Sequence, residues 1–465
     1  MAERLTHLAA SVAPLLSFMP GVNVQTFGAT GDGTTDDTVA LQDAISGSGT
    51  LWIPGGTYIV SRPLVVGSNT RLIGQAGATF YRIAGVSATT CGSVIVQSNG
   101  SNVTIEGLTI DGQVDAYAAG SIHGGIVFIN TTNGIVRQCT VTRTVNAETT
   151  AGIYFETCHA CIAEDCYLYD NDRTAAIIRY GENNKFIHCT ARDNAGSGFA
   201  ITEAVDCTID DCTAYSNGYS NITVNGLRGS VIGCKSYLST YTGIVFGHAG
   251  VDADPDGHPA SDSVCIGNQS YNNTLDGISV ANSQYVCIEG NTVFGNQRRN
   301  IQLYTWGAWA NNLLACTITN NTVYGTGLTS GSQIGIYIEK GLYHVITGNR
   351  VTDNQYSGIY LDFQSGSSIV ANNICKNNNQ VVVSTGGIHS SGSGIVLAQS
   401  FGNIVTGNLC LDDQATPTQG YGIRTADGGN HSIGANRTSG NMSGGIVETG
   451  TPTGMTYFDN VPAYP

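Results

Sequence analysis

Apolar and polar residues alternate in short runs along most of the chain, and the runs recur. The clearest has the form Gly-Ile-x-apolar, as in Gly125-Ile126-Val127-Phe128, Gly152-Ile153-Tyr154-Phe155, Gly335-Ile336-Tyr337-Ile338 and Gly358-Ile359-Tyr360-Leu361. Alternation with period two over so few residues predicts strands. Counting 14 residues on from the glycine-like position of each run reaches Cys or Asn: Gly125 to Cys139, Gly152 to Cys166, Ala175 to Cys189, Gly198 to Cys212, then Gly277 to Asn291, Gly335 to Asn349, Gly358 to Asn372, Gly394 to Asn408 and Gly422 to Asn436. The runs start about every 23 residues, at 152, 175 and 198, at 277 and 300, and at 335 and 358. A fixed period of that length, with short strands in every repeat, predicts a solenoid whose coils bury their faces against one another.

The period assigns each side chain to a face. Ile126 and Phe128, Ile153 and Phe155, Ile244 and Phe246, Ile336 and Ile338, Ile359 and Leu361, and Ile395 and Leu397 are expected inside. Residues two and four places after each glycine are expected outside. Four segments follow from the pattern: an amphipathic N-terminal helix over residues 1–21, a lead-in and capping module over 22–60, the coils over 61–446, and a C-terminal tail over 447–465. In the second segment Asp36 and Asp37 are placed to cap a short helix at about 39–45. Longer insertions follow Phe246 and Tyr304 and precede Gly394, and insertions in a solenoid project as loops from one face.

The stretch Asn23-Val24-Gln25-Thr26-Phe27-Gly28-Ala29-Thr30-Gly31-Asp32-Gly33-Thr34-Thr35-Asp36-Asp37, followed by Leu51-Trp52-Ile53-Pro54-Gly55-Gly56-Thr57-Tyr58, resembles the N-terminal motif of the pectate-lyase-like superfamily. The resemblance implies an all-β, right-handed single-stranded parallel β-helix of about a dozen coils with an N-terminal capping helix. In that superfamily the short helix plugs the open end of the solenoid.

Composition narrows the chemistry. Charged residues make up 11% of the chain, Gly numbers 61 and the net charge is −15, so a nucleic-acid partner is excluded for want of basic groups. No apolar run is long enough to cross a bilayer, so membrane insertion is not expected. The 14 cysteines would suggest disulfides in a secreted protein. Here Cys139, Cys166, Cys189, Cys212 and Cys234 fall in the column that later holds Asn, which reads as a stack of small reduced fillers. Reduced thiols imply synthesis in a reducing cytoplasm, and the N-terminal segment lacks the features of a cleaved signal peptide.

Laid out as a grid, the outward positions place Glu339 beneath Asp362 and Tyr337 beneath Tyr360, 23 residues apart. Neighbouring coils are about 4.8 Å apart. Two carboxylates that close repel, so one is expected to hold a proton while the other stays ionised, the division of labour that glycoside hydrolysis requires. Glu339 and Asp362 are therefore the candidate acid and nucleophile or base. Tyr304 and Trp306 stand beside them, and with Tyr337 and Tyr360 they are expected to line sugar subsites. His248 and Asp254 are expected to form a wall of the groove. The D-x-D-x-D spacing of Asp252, Asp254 and Asp256 invites a Ca²⁺ reading, but the Gly and distal Glu of an EF-hand loop are out of place. No cofactor is expected, with Ca²⁺ as the alternative. Elsewhere on the grid Glu156 and Arg179 are expected to form a cross-coil pair, with Glu203 as an alternative catalytic acid.

The polygalacturonase-like set of Asn-Thr-Asp and Arg-Ile-Lys is missing. Asp254-Pro255-Asp256-Gly257-His258 only faintly echoes the mannuronan-epimerase-like motif, and the carboxylate neighbourhood offers Lys340 as its one basic group. The chain is most similar to bacteriophage tailspikes and their polysaccharide depolymerases in its acidic balance, its reduced cysteine column and its aromatic, carboxylate-bearing face. That resemblance implies a homotrimer, outside the cell or on a virion, that cleaves a bacterial surface or matrix polysaccharide. A uronate lyase or C5-epimerase, a non-catalytic glycan-binding adhesin and a structural appendage protein remain as alternatives.

Overall fold

Short strands alternate with tight corners, and the corners carry left-handed residues. The computed structural model describes residues 21–83, 93–113, 124–144, 151–247, 259–305, 313–326, 333–380 and 392–461. Over them the chain winds as a right-handed parallel β-helix of about 14 turns. Three parallel sheets run along it, with 17, 16 and 15 strands among the described residues, here called A, B and C. A typical coil contributes Ile153–Glu156 to sheet C, Ile162–Glu164 to sheet A and Tyr167–Tyr169 to sheet B. Strands this short end where one residue takes positive φ. After sheet C that residue is Asn or Gly in several coils, as at Asn102, Asn133, Asn183, Gly402, Asn430 and Gly454, types that tolerate the left-handed region, while Ala160, Arg228, Tyr285 and Tyr343 hold it in others.

The expected register holds. Ile153 pairs with Ala176, Phe199 with Ile222, and Ile336 with Ile359. Every residue expected inside is fully buried. Phe128 and Phe155 stack within the core with centroids 5.4 Å apart, and Phe186 follows at 5.9 Å.

The Cys and Asn column forms one ladder at the corner between sheets A and B. Asn321 donates from Nδ2 to Asn349 Oδ1 at 3.0 Å and to the Ile288 carbonyl of the preceding coil at 3.0 Å. Its backbone N–H also reaches Asn349 Oδ1, at 3.0 Å. Upstream, thiols do the same work: the Cys166 N–H lies 3.4 Å from Cys189 Sγ, and the handover occurs where the Cys234 N–H reaches Asn268 Oδ1 at 2.8 Å. The 13 described cysteines are free. One rung differs from the sequence count. In the coil that starts at Gly358 the ladder residue is Asn373, not Asn372, which takes positive φ at the next corner position. The turn after Asp362 holds one residue more than the turn after Glu339, and Phe363 and Gln364 both take positive φ there.

A second ladder, on the outside of sheet B, was not anticipated. Tyr215, Tyr237, Tyr271, Phe294 and Tyr324 stack in sequence at 4.9, 5.0, 4.8 and 4.7 Å, almost parallel. Their faces cover one another, and only their edges meet water.

In the first coil, helix α1 (Thr38–Gly47) buries Leu41, Ala44 and Ile45 in the core. The two acids before it divide their work. Asp36 Oδ1 accepts from the Thr38 N–H at 3.0 Å. Asp37 makes no cap bond and is buried, accepting from the Thr30 N–H at 2.6 Å and the Gly31 N–H at 3.1 Å. Residues 1–20, which hold most of the expected amphipathic helix, lie outside the described residues. At the other end, Gly444–Thr449 and Thr456–Phe458 extend the ladders into the segment expected as a tail.

Two predictions follow from the buried columns. Asn349→Ala removes the acceptor for both Asn321 donors and should lower stability by about 2–3 kcal/mol, measured by chemical denaturation. His344 and His431 are buried, each accepting a backbone N–H on Nδ1 at 3.2 Å, and burial holds both down to about 4. They stay neutral in the fold, whereas the unfolded chain protonates near 6.5. Stability should be full above about pH 6.5 and fall towards about pH 4. His344→Asn, which imitates Asn403 in the same column, should flatten that slope in pH-dependent melts.

Candidate functional site

Sheet C presents its outward residues in two columns, two and four places after each glycine-like position. Strands Arg299–Tyr304, Ile334–Glu339 and Ile359–Asp362 lie side by side there. Gln302 pairs with Tyr337 and Tyr337 with Tyr360; Tyr304 pairs with Glu339 and Glu339 with Asp362. The two candidate carboxylates therefore occupy adjacent rungs on the same face, one strand spacing apart, about 4.8 Å. Both are half-buried.

The rings beside them are not an open platform. Tyr337 and Tyr360 stack at 5.6 Å and, although they point away from the core, both are nearly buried among Ile334, Val396, Ala398 and Ala426. Tyr337 keeps its hydroxyl on the site: it donates to Asp362 Oδ2 at 3.0 Å. The Phe363 N–H donates to Asp362 Oδ1 at 2.9 Å. Burial pushes the Tyr337 phenol well above its ordinary value, and the charges of Asp362 and Glu339 push it further. Tyr304 is raised in the same way, first by burial and then by the charge of Asp276.

Lys340 is not the only basic group here. Arg299 lies over the Tyr337 ring, its guanidinium carbon 4.5 Å from the centroid. Arg424 acts electrostatically on Tyr360 from the far side. Arg298 is fixed by the buried carboxylate of Asp276, with Nε 2.9 Å from Oδ1 and a terminal nitrogen on Oδ2, and it reaches Gln302 Oε1 at 3.0 Å. Asp276 also accepts from Ser279 Oγ at 3.1 Å and the Arg299 N–H at 3.2 Å. Its carboxylate is fully engaged and acts as an anchor. The signal for these groups was the Arg298-Arg299 pair, in a chain with 19 Lys and Arg in all. They sit at the start of the strand, Arg298 just before it and Arg299 as its first residue, ahead of its glycine-like position, and only the fold turns them onto the face.

Trp306, His248 and Asp254 lie outside the described residues, as does the D-x-D-x-D loop. Among the described residues no three His, Cys, Asp or Glu side chains gather to hold a metal ion. The expected Glu156 and Arg179 pair takes a different form. The two are register neighbours, but Arg179 turns to Glu203 at 3.1 Å and lies over the Tyr180 ring, so Glu203 is engaged as an ion-pair partner.

Comparison with known proteins bears on both the fold and the site. The family model described as rhamnogalacturonase A/epimerase, pectate lyase-like, matches residues 21–254, half of the chain. The chain belongs to this family. A second model, described as periplasmic copper-binding protein (NosD), matches residues 239–391, the part that carries Glu339 and Asp362. Mannuronan C5-epimerase AlgE1 of Azotobacter vinelandii is 30% identical over 231 residues, 45% of this chain and 16% of that protein. The pre-neck appendage protein of Bacillus phage phi29 is 35% identical over 96 residues, 20% of this chain and 11% of that protein. The chain thus spans less than a fifth of the length of these curated relatives. Among solved structures, the N-terminal fragment of bacteriophage phi29 gene product 12 superposes with a TM-score of 0.60 at 15% identity, covering 98% of this chain and 96% of that one. The Dettilon tailspike superposes with a TM-score of 0.55 at 15% identity, covering 87% and 68%. The family likeness and the fold agree with the right-handed parallel β-helix read from the repeat.

Arg298→Ala would leave the Asp276 carboxylate buried without its guanidinium. Because Arg298 is itself about a third exposed, with side-chain accessibility of 36%, the expected loss is roughly 2 kcal/mol, measured by denaturant unfolding.

Proposed function

We propose that this protein binds a polysaccharide on the outer face of sheet C and cleaves its glycosidic bonds with Glu339 and Asp362. The observation that carries the reading is the direct pairing of the two carboxylates on neighbouring rungs, with the Tyr337 hydroxyl on one of them. Two donors on Asp362 suit it to the ionised role of nucleophile or base, and leave Glu339 to protonate the departing glycosidic oxygen. Side chains set on backbones one strand spacing apart suit the retaining geometry, in which the carboxyl groups are about 5 Å apart. Asp362 would attack the anomeric carbon, the leaving group would depart with the proton of Glu339, and water activated by Glu339 would release the sugar. No cofactor enters the scheme. The relatives among tailspikes and phage appendage proteins support a glycan as partner and a place outside the cell or on a virion. The homotrimer belongs to the same proposal.

A second reading has its own support. Arg299 against the buried Tyr337 phenol is a cation beside a proton-carrying oxygen, the pair that a uronate lyase or C5-epimerase uses to neutralise a carboxylate and to move the proton next to it. The mannuronan epimerase relatives favour it equally. One experiment separates the two. Glu339→Gln and Asp362→Asn should each abolish release of reducing ends from a cleaved polysaccharide while glycan binding persists. Products that absorb in the ultraviolet through a new double bond, formed by both variants but not by Tyr337→Phe, would replace hydrolysis with elimination.

A further inference from the structure

The corner that follows sheet C carries two large aromatic residues at its left-handed position. That position is filled in most other coils by small or short polar residues, among them Asn133, Asn183, Asp262, Ser367 and Gly402, and in one by Arg228. In the coils on either side of Ala315 it is filled by Tyr285, φ 56°, and Tyr343, φ 64°. A bulky side chain in the left-handed region is unfavourable, a cost this fold also bears at Thr157, Tyr180 and Leu238. Nor does packing repay it. Tyr285 is 56% exposed and Tyr343 is 59% exposed, and neither ring stacks on another among the described residues.

The position of the two rings is equally specific. Backbone bonds place Tyr285, Ala315 and Tyr343 on successive coils. The tyrosines are thus about 9.6 Å apart, two strand spacings, with a methyl group between them. Tyr343 lies four residues beyond Glu339, around the same turn. The next coil adds Phe363, directly after Asp362, half exposed, also at positive φ and with Lys340 Nζ 5.5 Å over its ring. The exposed rings therefore continue from the carboxylate pair over the corner. The contrast with sheet B is informative. In the Tyr215 to Tyr324 ladder each face is spent on the next ring, so that ladder can offer a sugar only edges. The corner rings offer faces, the surface on which the C–H side of a pyranose packs.

We propose that Tyr285 and Tyr343, with Phe363 at the junction, form a polysaccharide subsite that leads the chain over the corner to Glu339 and Asp362. It rests on the reading of sheet C as a glycan-processing face and adds the path of the substrate. The test uses the full chain carrying Glu339→Gln, so that bound polymer persists, on an array of acidic and neutral bacterial polysaccharides that includes mannuronan. Tyr285→Asn and Tyr343→Asn are then introduced singly and together. Asn suits the left-handed backbone, so the variants should melt at the same temperature as the parent or higher, while each weakens retention of the bound polysaccharide roughly ten-fold. Tyr271→Asn, in the sheet B ladder, should leave retention unchanged. If the parent retains a polysaccharide and the corner variants retain it equally well, the subsite falls and the carboxylate reading stands. If the parent retains none, both fall. If the corner variants instead dissociate an oligomer in sedimentation and keep their glycan affinity, the rings serve contact between copies of this chain and the subsite is overturned.

Discussion

Strand pairing between successive coils is the constraint from which the rest of the molecule follows. Each coil hydrogen-bonds to the next in parallel and in register, so a side chain has no freedom to choose its neighbour above or below. Glu339 meets Asp362, and Tyr337 meets Tyr360, because the backbone places them so. The Asn ladder fixes this pairing at the corner between sheets A and B. Each amide is tied both to the next amide and to a carbonyl of the coil before, and slipping by one residue would orphan several buried donors at once. In a fold with strands of three or four residues, that corner supplies register that the strands alone specify weakly.

This is also why so much was legible in the sequence. A repeat with constant backbone geometry must put the same kind of residue at the same corner, so glycine and the following Cys or Asn mark the register without any knowledge of the fold. The inward residues, the paired carboxylates and the reduced thiols all followed. The errors share one cause: the one-dimensional pattern counts positions but does not see corners change length or side chains turn. One residue added after Asp362 moved the ladder from Asn372 to Asn373. Arg179 lies over neither partner by necessity, and it chose Glu203 rather than the register neighbour Glu156. Arg299 opens its strand one residue ahead of the glycine-like position, off the grid, and comes onto the face only by folding over the Tyr337 ring. The burial of Tyr337 and Tyr360 was hidden for the same reason, since a grid of outward positions carries no record of what lies across them.

The electrostatics of the site run against those of the chain as a whole. The protein carries a net charge of −15, yet Arg298 reaches Gln302, Arg299 lies over Tyr337 and Arg424 acts on Tyr360, all on the face that carries the carboxylate pair. Asp276 holds Arg298 in place with a fully satisfied, buried carboxylate, and so spends one acid to fix one base at the surface. Arg298 and Arg299 add fixed positive charge to this part of the face. They also give the face an attraction for acidic sugars that an acidic protein would lack elsewhere on its surface.

Stability and recognition are separated in this solenoid by the direction in which aromatic rings are turned. On sheet B the rings lie flat on one another, one per coil, and the repeat distance of the backbone is itself close to a good stacking distance. That surface gains from the regularity of the fold. At the corner after sheet C the repeat is broken: an alanine stands between two tyrosines, the tyrosines occupy a backbone conformation that suits asparagine, and the turn beyond Asp362 is one residue longer. None of these departures improves packing within the chain. All three lie within a few coils of the carboxylate pair, on the same edge of the same sheet, although bulky residues at positive φ and a register shift at Thr202 to Val205 occur elsewhere in the solenoid as well.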